Sequence, residues 1–260
     1  MVRIAFLSDI HGNGLALDAV LDDIDAQGGV DEYWLLGDLV AIGPQPVEVL
    51  EKLSALPNAR FTRGNTDRYI TKGDRPPPDR NAVEANPNLL PIFKEVAETM
   101  AWTQGALSAH GWLDFLDALP LEQRLTLPDG TRLLGVHGAP GDDGGPGLRP
   151  DYPEEDIRER FTGAEADLIC VGHTHWPINT RLDGMHLVNL GSVSNPMVPD
   201  LCAWYVLLEA DASGYRLEHR QAAYDRSAVI AQLEALRHPG RGHIISFMRG
   251  ERIRDWPLLP

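Results

Sequence analysis

The sequence predicts an α/β layered fold, on three observations. Short apolar runs read as buried strands, helix-spaced segments alternate with them, and each run closes on a polar, often glycine-containing loop. Residues 2–8 are the first run, broken at Gly12. Leu15, Leu17, Val20, Leu21 and Ile24 then recur at helical spacing over 13–26, and Asn13 has the side-chain oxygen of a helix N-cap. A second strand over 32–36 ends at Gly37-Asp38. Val47, Leu50, Leu53 and Leu56, three apart, predict a helix over 47–56. A short third strand, 59–62, ends at Arg63-Gly64-Asn65.

The rhythm changes after residue 68. Pro, Asp and Asn crowd 72–91, which reads as a loop, and 89–103 and 108–119 look helical. Residues 68–119 are therefore expected to be a helical insertion, or cap, on the edge of one domain spanning 1–240. Strands are predicted at 121–127 and 131–136 around the hairpin turn Pro128-Asp129-Gly130-Thr131. A glycine-rich loop at 138–147, a helix near 153–163 and a buried strand at 168–171 follow. Strands at 185–190, 202–209 and 214–223 and a helix at 225–237 complete the domain, leaving 241–260 as a C-terminal tail.

Composition narrows the function. The formal net charge of −15 gives no counterion-release gain on a polyanion, so a nucleic-acid partner is not expected. Two bound divalent cations would return four positive charges at one point, so the acidity does not exclude a phosphorylated substrate. The apolar N-terminal run stops at Asp9, and no stretch approaches the ~20 apolar residues of a membrane span. Cys170 and Cys202, each in an apolar run, are expected as reduced thiols, which points to a cytoplasmic location.

Five segments carry the chemistry: Asp9-Ile10-His11, Gly37-Asp38, Gly64-Asn65-Thr66-Asp67, His137-Gly138 and Gly172-His173-Thr174-His175. Each lies at or just after a predicted strand end, and in an open α/β sheet ligands collect outside those ends. Asp9, His11, Asp38, Asn65, His137, His173 and His175 offer carboxylate, amide and imidazole donors without a thiolate, a mixed oxygen and nitrogen metal site rather than structural zinc. Seven donors are too many for one ion and suit two ions that share a carboxylate. Asp9 and His11, and likewise His173 and His175, would project to one side if their segments were extended. Glycine precedes Asp38, Asn65 and His173, where the backbone must turn or pass closely.

In this order the segments resemble the blocks of the calcineurin-like metallophosphoesterase superfamily, and the likeness extends further. Leu36-Gly37-Asp38-Leu39-Val40-Ala41-Ile42-Gly43-Pro44, Trp102-Thr103, His137-Gly138-Ala139-Pro140, Gly172-His173-Thr174-His175-Trp176-Pro177 and Asn189-Leu190-Gly191-Ser192-Val193-Ser194 are similar to a compact prokaryotic phosphodiesterase and phosphatase subgroup. The resemblance covers about residues 2–225 and implies a four-layer α/β/β/α sandwich of two mixed sheets. It further implies a binuclear centre: Asp9, His11 and His175 on one divalent ion, Asn65, His137 and His173 on the other, and Asp38 bridging both. Mn²⁺ is the first choice, and Fe and Zn suit the same donors. Asp9, Asp38, Asn65, His137 and His173 are the implied catalytic residues, a hydroxide shared by the ions is the implied nucleophile, and Asn65 and His137 are placed toward the substrate. Arg63 and Arg68, which flank the site in sequence, are candidates to face phosphate, though such arginines are more commonly exposed.

The sequence departs from the family pattern at Thr66, where the family carries a histidine near the leaving group. A threonine hydroxyl is too weak an acid to serve there, and losing a general acid costs about 10²–10⁴ in rate. Good leaving groups, as in phosphodiesters or nucleotide phosphoanhydrides, are therefore the expected substrates. The alternatives are a phosphomonoesterase, including a phosphoprotein phosphatase, and a non-catalytic metal-bound interaction module. His110 and His186 are candidates to replace the absent histidine. Leu190 and Met197 also depart, standing where the family has a proline and often an arginine. Gly141-Asp142-Asp143-Gly144-Gly145 reads as a long turn or a rim to the site.

Overall fold

The computed structural model describes residues 1–253. Its elements run, in chain order, β1 (Val2–Leu7), α1 (Gly14–Ala26), β2 (Glu32–Leu36), α2 (Pro46–Ser54), β3 (Ala59–Thr62), α3 (Asn65–Lys72), α4 (Arg80–Ala85), α5 (Leu90–Ala109), α6 (Leu113–Asp117), β4 (Glu122–Thr126), β5 (Arg132–Val136), α7 (Glu154–Phe161), β6 (Leu168–Val171), β7 (Pro177–Leu182), β8 (Met185–Leu190), β9 (Ala203–Asp211), β10 (Gly214–Ala222), α8 (Arg226–Ala235) and α9 (Arg241–Met248). The first sheet has the order β10-β9-β1-β2-β3, the second β4-β5-β6-β8-β7. Each is mixed: β1, β2 and β3 are parallel with β9 antiparallel to β1, and β5, β6 and β8 are parallel between antiparallel β4 and β7.

Period-two alternation builds the layers. Ile4, Phe6, Trp34, Leu36, Val206 and Leu208 face the second sheet and meet Leu133, Leu168, Cys170, Val188 and Leu190. Their neighbours Ala5, Leu7, Tyr33, Leu35, Tyr205 and Leu207 turn outward onto α1, α2 and α5. On the far side Leu134, Val136, Ile169, Val171 and Leu187 pack against Ile157 and Phe161 of α7. The result is the α/β/β/α sandwich. The sheets approach closely at Gly135, where a Cβ would strike the Trp34 ring.

Several elements differ from expectation. Gly64-Asn65-Thr66-Asp67 opens helix α3, with the Asp67 carboxylate accepting from the Gly64 amide at 2.9 Å. The 72–91 segment contains α4 and a 3-10 turn, Pro87–Leu89, neither with a buried residue. The two helices expected at 89–103 and 108–119 are a single α5 to Ala109 and a short α6, because Gly105 sits in open space and nothing interrupts the helix there. Strand β7 is additional. The expected tail begins with α9, whose Ile244 and Met248 pack on Val229 and Leu233 of α8. The tail's last residues, 254–260, lie outside the described residues. Among the described residues no helix is long and apolar enough to cross a membrane, and Cys170 and Cys202 are both free, the first buried and the second half-buried.

Candidate metal centre

Loops from both sheets interlock at one end of the sandwich. The Asp9 and His11 amides donate to the carbonyls of Gly37 and Asp38 at 3.1 and 2.9 Å, and Ser194 N donates to Asp9 O at 3.1 Å. From the second sheet, Gly172 N donates to His137 O at 2.9 Å. Two glycines permit the junction: a Cβ on Gly64 would overlap Asp38, and one on Gly172 would overlap Ser8 and Asp9. The chain is not extended here, contrary to the simple reading of the two Asp/His and His/His spacings. Asp9, His11, Asp38, His173 and His175 all have left-handed φ, between 50° and 70°. Each costs about 1–2 kcal/mol for a residue with a Cβ, a strain that the fully buried strands beneath can hold.

All seven predicted donors come together. His11 and His175 bring their Nε2 atoms to 3.3 Å. The Asp9 Oδ1 atom lies 3.1 Å from His175 Nε2 and 3.9 Å from His11 Nε2. Asp38 extends between this group and the next, with Oδ2 3.8 Å from His11 Nε2 and Oδ1 3.4 Å from His137 Nε2. Asn65 Oδ1 is 3.2 Å from His137 Nε2, and the His173 ring meets that of His137 edge to face at 5.2 Å. Two groups, Asp9 with His11 and His175, and Asp9 with Asp38 and His137, keep one donor atom per residue within 4.8 Å of each other.

Backbone carbonyls set the imidazole tautomers, because a carbonyl can only accept. His11, His137 and His175 donate from Nδ1 to Ala41 O, Leu36 O and Asn195 O at 3.2, 2.7 and 2.7 Å. His173 donates from Nε2 to Gly145 O at 2.8 Å, which leaves its Nδ1 as the lone pair. In the neutral rings of His11 and His175, lone pairs therefore face each other across 3.3 Å. Beside them, with His175 neutral, the buried Asp9 Oδ1 has no hydrogen-bond donor among the described residues, its Oδ2 being taken by Ser8 Oγ at 2.5 Å and His173 N at 3.0 Å. Donor atoms that converge in this way suit a cation. Without one, burial opposes protonation of His175, but the Asp9 carboxylate overrides it and holds that imidazole above its ordinary range.

The electrostatics agree. Burial disfavours protonation of His137, yet the Asp38 carboxylate overrides it and pushes that imidazole up to about 10. Asp38 is held far below the usual carboxylate range against its own desolvation by the charge and hydrogen bond of His137. Burial pushes His11 down to about 4, so it stays neutral and ready to ligate. The cluster thus attracts one positive charge even as a proton, a role that divalent ions fill better. Burial and the nearby Asp38 charge push Asp67 up to about 7, while its oxygens accept from the Asp38, Leu39 and Gly64 amides at 2.9, 3.0 and 2.9 Å. Asp67 fixes the Asp38 loop, and Thr66 N donates to Asp38 Oδ1 at 2.8 Å.

Other residues fall elsewhere. Arg63 directs its Nε to Asp143 Oδ2 at 2.7 Å, and Arg68 Nε reaches the same carboxylate at 3.0 and 3.1 Å. His110 is exposed and bonds its own helix at Ala106 O, and His186 lies between Asn179 and Tyr215, so neither stands in for the absent histidine. Sequence reasoning missed Ser8, Ser192 and Asp143. Ser192 Oγ donates to Asp9 O at 3.0 Å and accepts from Asn195 N at 2.8 Å, the residue whose carbonyl orients His175. Asp143 is 4% exposed inside a loop whose composition suggested a turn; its only sequence signal was the arginine pair 75 and 80 residues earlier.

Comparisons with known proteins bear on this arrangement. An uncharacterized protein of Methanocaldococcus jannaschii is 29% identical over 240 residues, covering 85% of this chain and 88% of that protein. A metallophosphoesterase from Sphaerobacter thermophilus has a similar solved structure, with a TM-score of 0.71, 27% identity and coverage of 96% of this chain and 98% of that one. A symmetrical bis(5'-nucleosyl)-tetraphosphatase of Paracidovorax citrulli is 33% identical over 135 residues, half of this chain but only 42% of that protein. The profile of the calcineurin-like phosphoesterase superfamily domain matches residues 2–213. With its sandwich and its loop-borne donors, the chain belongs to the calcineurin-like phosphoesterase superfamily.

Proposed function

We propose that this protein hydrolyses a P–O bond of a phosphodiester or a nucleotide phosphoanhydride at a centre of two divalent metal ions. The observation that carries the reading is the convergence of His11 Nε2, His175 Nε2 and the buried Asp9 Oδ1 at one point. In this reading Asp9, His11 and His175 hold one ion, Asn65, His137 and His173 the other, and Asp38 both. Mn²⁺ suits this donor set, as do Fe and Zn. Bound there, the ions supply Lewis-acid neutralisation of phosphate charge and a more acidic water.

The chain's own residues define the rest. In the same reading Asn65 and His137 flank the position of the phosphate, while Arg63 is turned onto Asp143 and no contact with substrate is assigned to it. Hydrolysis forms one P–O bond from water and breaks another, and the departing oxygen leaves with a proton or as a stable anion. Thr66 cannot supply that proton near neutral pH. A phosphoanhydride or acidic alcohol leaves without help, which favours diesters and nucleotides over alkyl monoesters. The partial likeness to a tetraphosphatase supports the nucleotide branch. Two free thiols are consistent with a reducing compartment, and we assign the protein to the cytoplasm on that ground.

Turnover of bis(p-nitrophenyl) phosphate and p-nitrophenyl phosphate with Mn²⁺, and again after chelation, tests the reading. Metal-dependent cleavage favouring the diester is expected. The Asp38→Asn variant should lose bound metal, measured by elemental analysis, together with activity. Full turnover by Asp38→Asn, or by the chelated enzyme, would overturn the binuclear assignment.

A further inference from the structure

A cleft of about 610 Å³ opens directly beside the candidate metal centre, with His173 and His175 on its floor. This lies within the roughly 300–1,000 Å³ typical of small-molecule sites. One wall comes from the loop before α7, through Arg149 and Tyr152. The opposite wall comes from the end of the described chain, through Phe247, Glu251 and Arg252. That second wall lies beyond the residues the superfamily profile matches, 2–213.

The wall is built in. Tyr224 Oη donates to Ser194 O at 3.1 Å and lies 3.5 Å from Met248 Sδ, and Arg226 donates to Met248 O at 2.9 Å. Ser194 adjoins Asn195, whose carbonyl orients His175. The α8–α9 pair is thus tied to the frame of the metal centre as well as to its own small core.

We infer that this cleft, walled by the segment around α9, binds the nucleoside portion of a nucleotide substrate whose phosphate lies at the metal centre; the inference rests on the proposed hydrolase reading. The lining chemistry selects that class. Tyr152 and Phe247 are half-buried aromatic side chains, and the Arg149 guanidinium lies 5.3 Å over the Tyr152 ring. Arg149 is also paired with Asp151 at 2.8 Å, and Glu251 adds a negative charge, so the walls are not a plain polyanion site. Arg252 donates to Ser246 Oγ at 2.8 Å and meets no carboxylate among the described residues. Aromatic surface, a guanidinium held by Ser246 and His243 but without a carboxylate partner, and a carboxylate acceptor match a flat base, the side of the phosphate that faces the cleft, and donor groups of the base or ribose. A nucleobase on an aromatic platform gains affinity from stacking in addition to its phosphate contacts.

Equilibrium binding of adenosine monophosphate and of ribose 5-phosphate to the full chain, with and without Mn²⁺, tests this separately from catalysis. The nucleotide should bind about five- to 150-fold more tightly than the sugar phosphate, the range that stacking one base is worth. Phe247→Ala and Arg252→Ala should each weaken nucleotide binding by about tenfold. Arg252 is exposed, so an unchanged melting temperature in Arg252→Ala separates lost binding from lost folding. Equal affinity for the two ligands, or variants that bind like the parent, would overturn the inference. Aryl diester turnover with no preference for the nucleotide leaves the hydrolase reading and removes the cleft's role. Nucleotide binding lost in the variants, with no turnover of any ester, keeps the cleft and removes the hydrolase.

Discussion

Thr66 shows how much a single side chain can decide. Its amide holds Asp38 Oδ1, while its hydroxyl is buried and finds no partner among the described residues. The backbone contribution belongs to any residue at this position, so the side chain is free to vary without dismantling the site. If the protein is the hydrolase proposed above, a histidine there would add a titratable donor on the side of the departing oxygen. Thr66→His is therefore expected to raise turnover of an alkyl phosphomonoester by on the order of 10², and that of p-nitrophenyl esters much less. Steady-state rates on the two leaving groups check this; equal gains on both would mean the new imidazole acts on binding instead. Of the site itself, the seven donors were legible because each is a chemically distinctive residue at a strand end. Ser8 and Ser192 were not, since a serine that steadies a carboxylate or a loop looks like any other serine.

Among the elements, those with a continuous apolar run or apolar residues at helical spacing were readable and those without were not. Strands β2, β3 and β6 and the Asn13-capped α1, whose cap oxygen accepts from Ala16 N at 3.1 Å, lie where the sequence indicates. Strand β7 escaped because Asn179, Thr180 and Arg181 interrupt its apolar residues, as a sheet edge permits. Helix α4 buries nothing, so no periodicity marks it. Helix α3 was hidden by Gly64-Asn65, a turn signature that here starts a helix once Asp67 accepts from the Gly64 amide and Asp38 from the Thr66 amide. The loop around Asp143 was underrated for a related reason: its carboxylate matters only because two arginines from the β3–α3 region converge on it. Asp143→Ala leaves both guanidiniums without that partner. A loss of about 2–3 kcal/mol is expected, below the range for fully buried pairs because both arginines keep some water. Urea unfolding measures it, and an unchanged midpoint would mean the arginines find other partners.

On the scale of the whole molecule, two histidines join the sheets away from the metal centre. His186 of β8 donates from Nε2 to Asn179 Oδ1 at 2.7 Å and lies 2.9 Å by Nδ1 from the Tyr215 hydroxyl of β10. His219 of β10 donates to Asn189 O of β8 at 2.8 Å. Burial, with the Arg181 and His219 charges behind it, pushes His186 down to about 4. Between that value and the ordinary 6.5 or so, the unfolded chain binds more protons than the folded one, so stability must fall as pH drops through this window. His186→Gln keeps an amide donor and removes the titration. In chelator, its urea midpoint should fall less between pH 7 and pH 5 than the parent's; parallel losses would show that other groups govern the response.

The place of β1 in its sheet also sets an order of events during synthesis. Strand β1 pairs on one side with β2, Ile4 opposite Glu32, and on the other with the much later β9, Val2 opposite Ala210. For most of translation, one edge of β1 has no native neighbour, although the finished sheet places the strand at its centre. Pairing across such a separation is slow, because the loop must close before any contact rewards it. The end of β1 carries Asp9 and His11, whose companions His173 and His175 emerge late as well. A nascent or truncated chain that stops short of β9 would therefore display an open strand edge and half a set of donors, making it a substrate for chaperones and proteases before it is anything else.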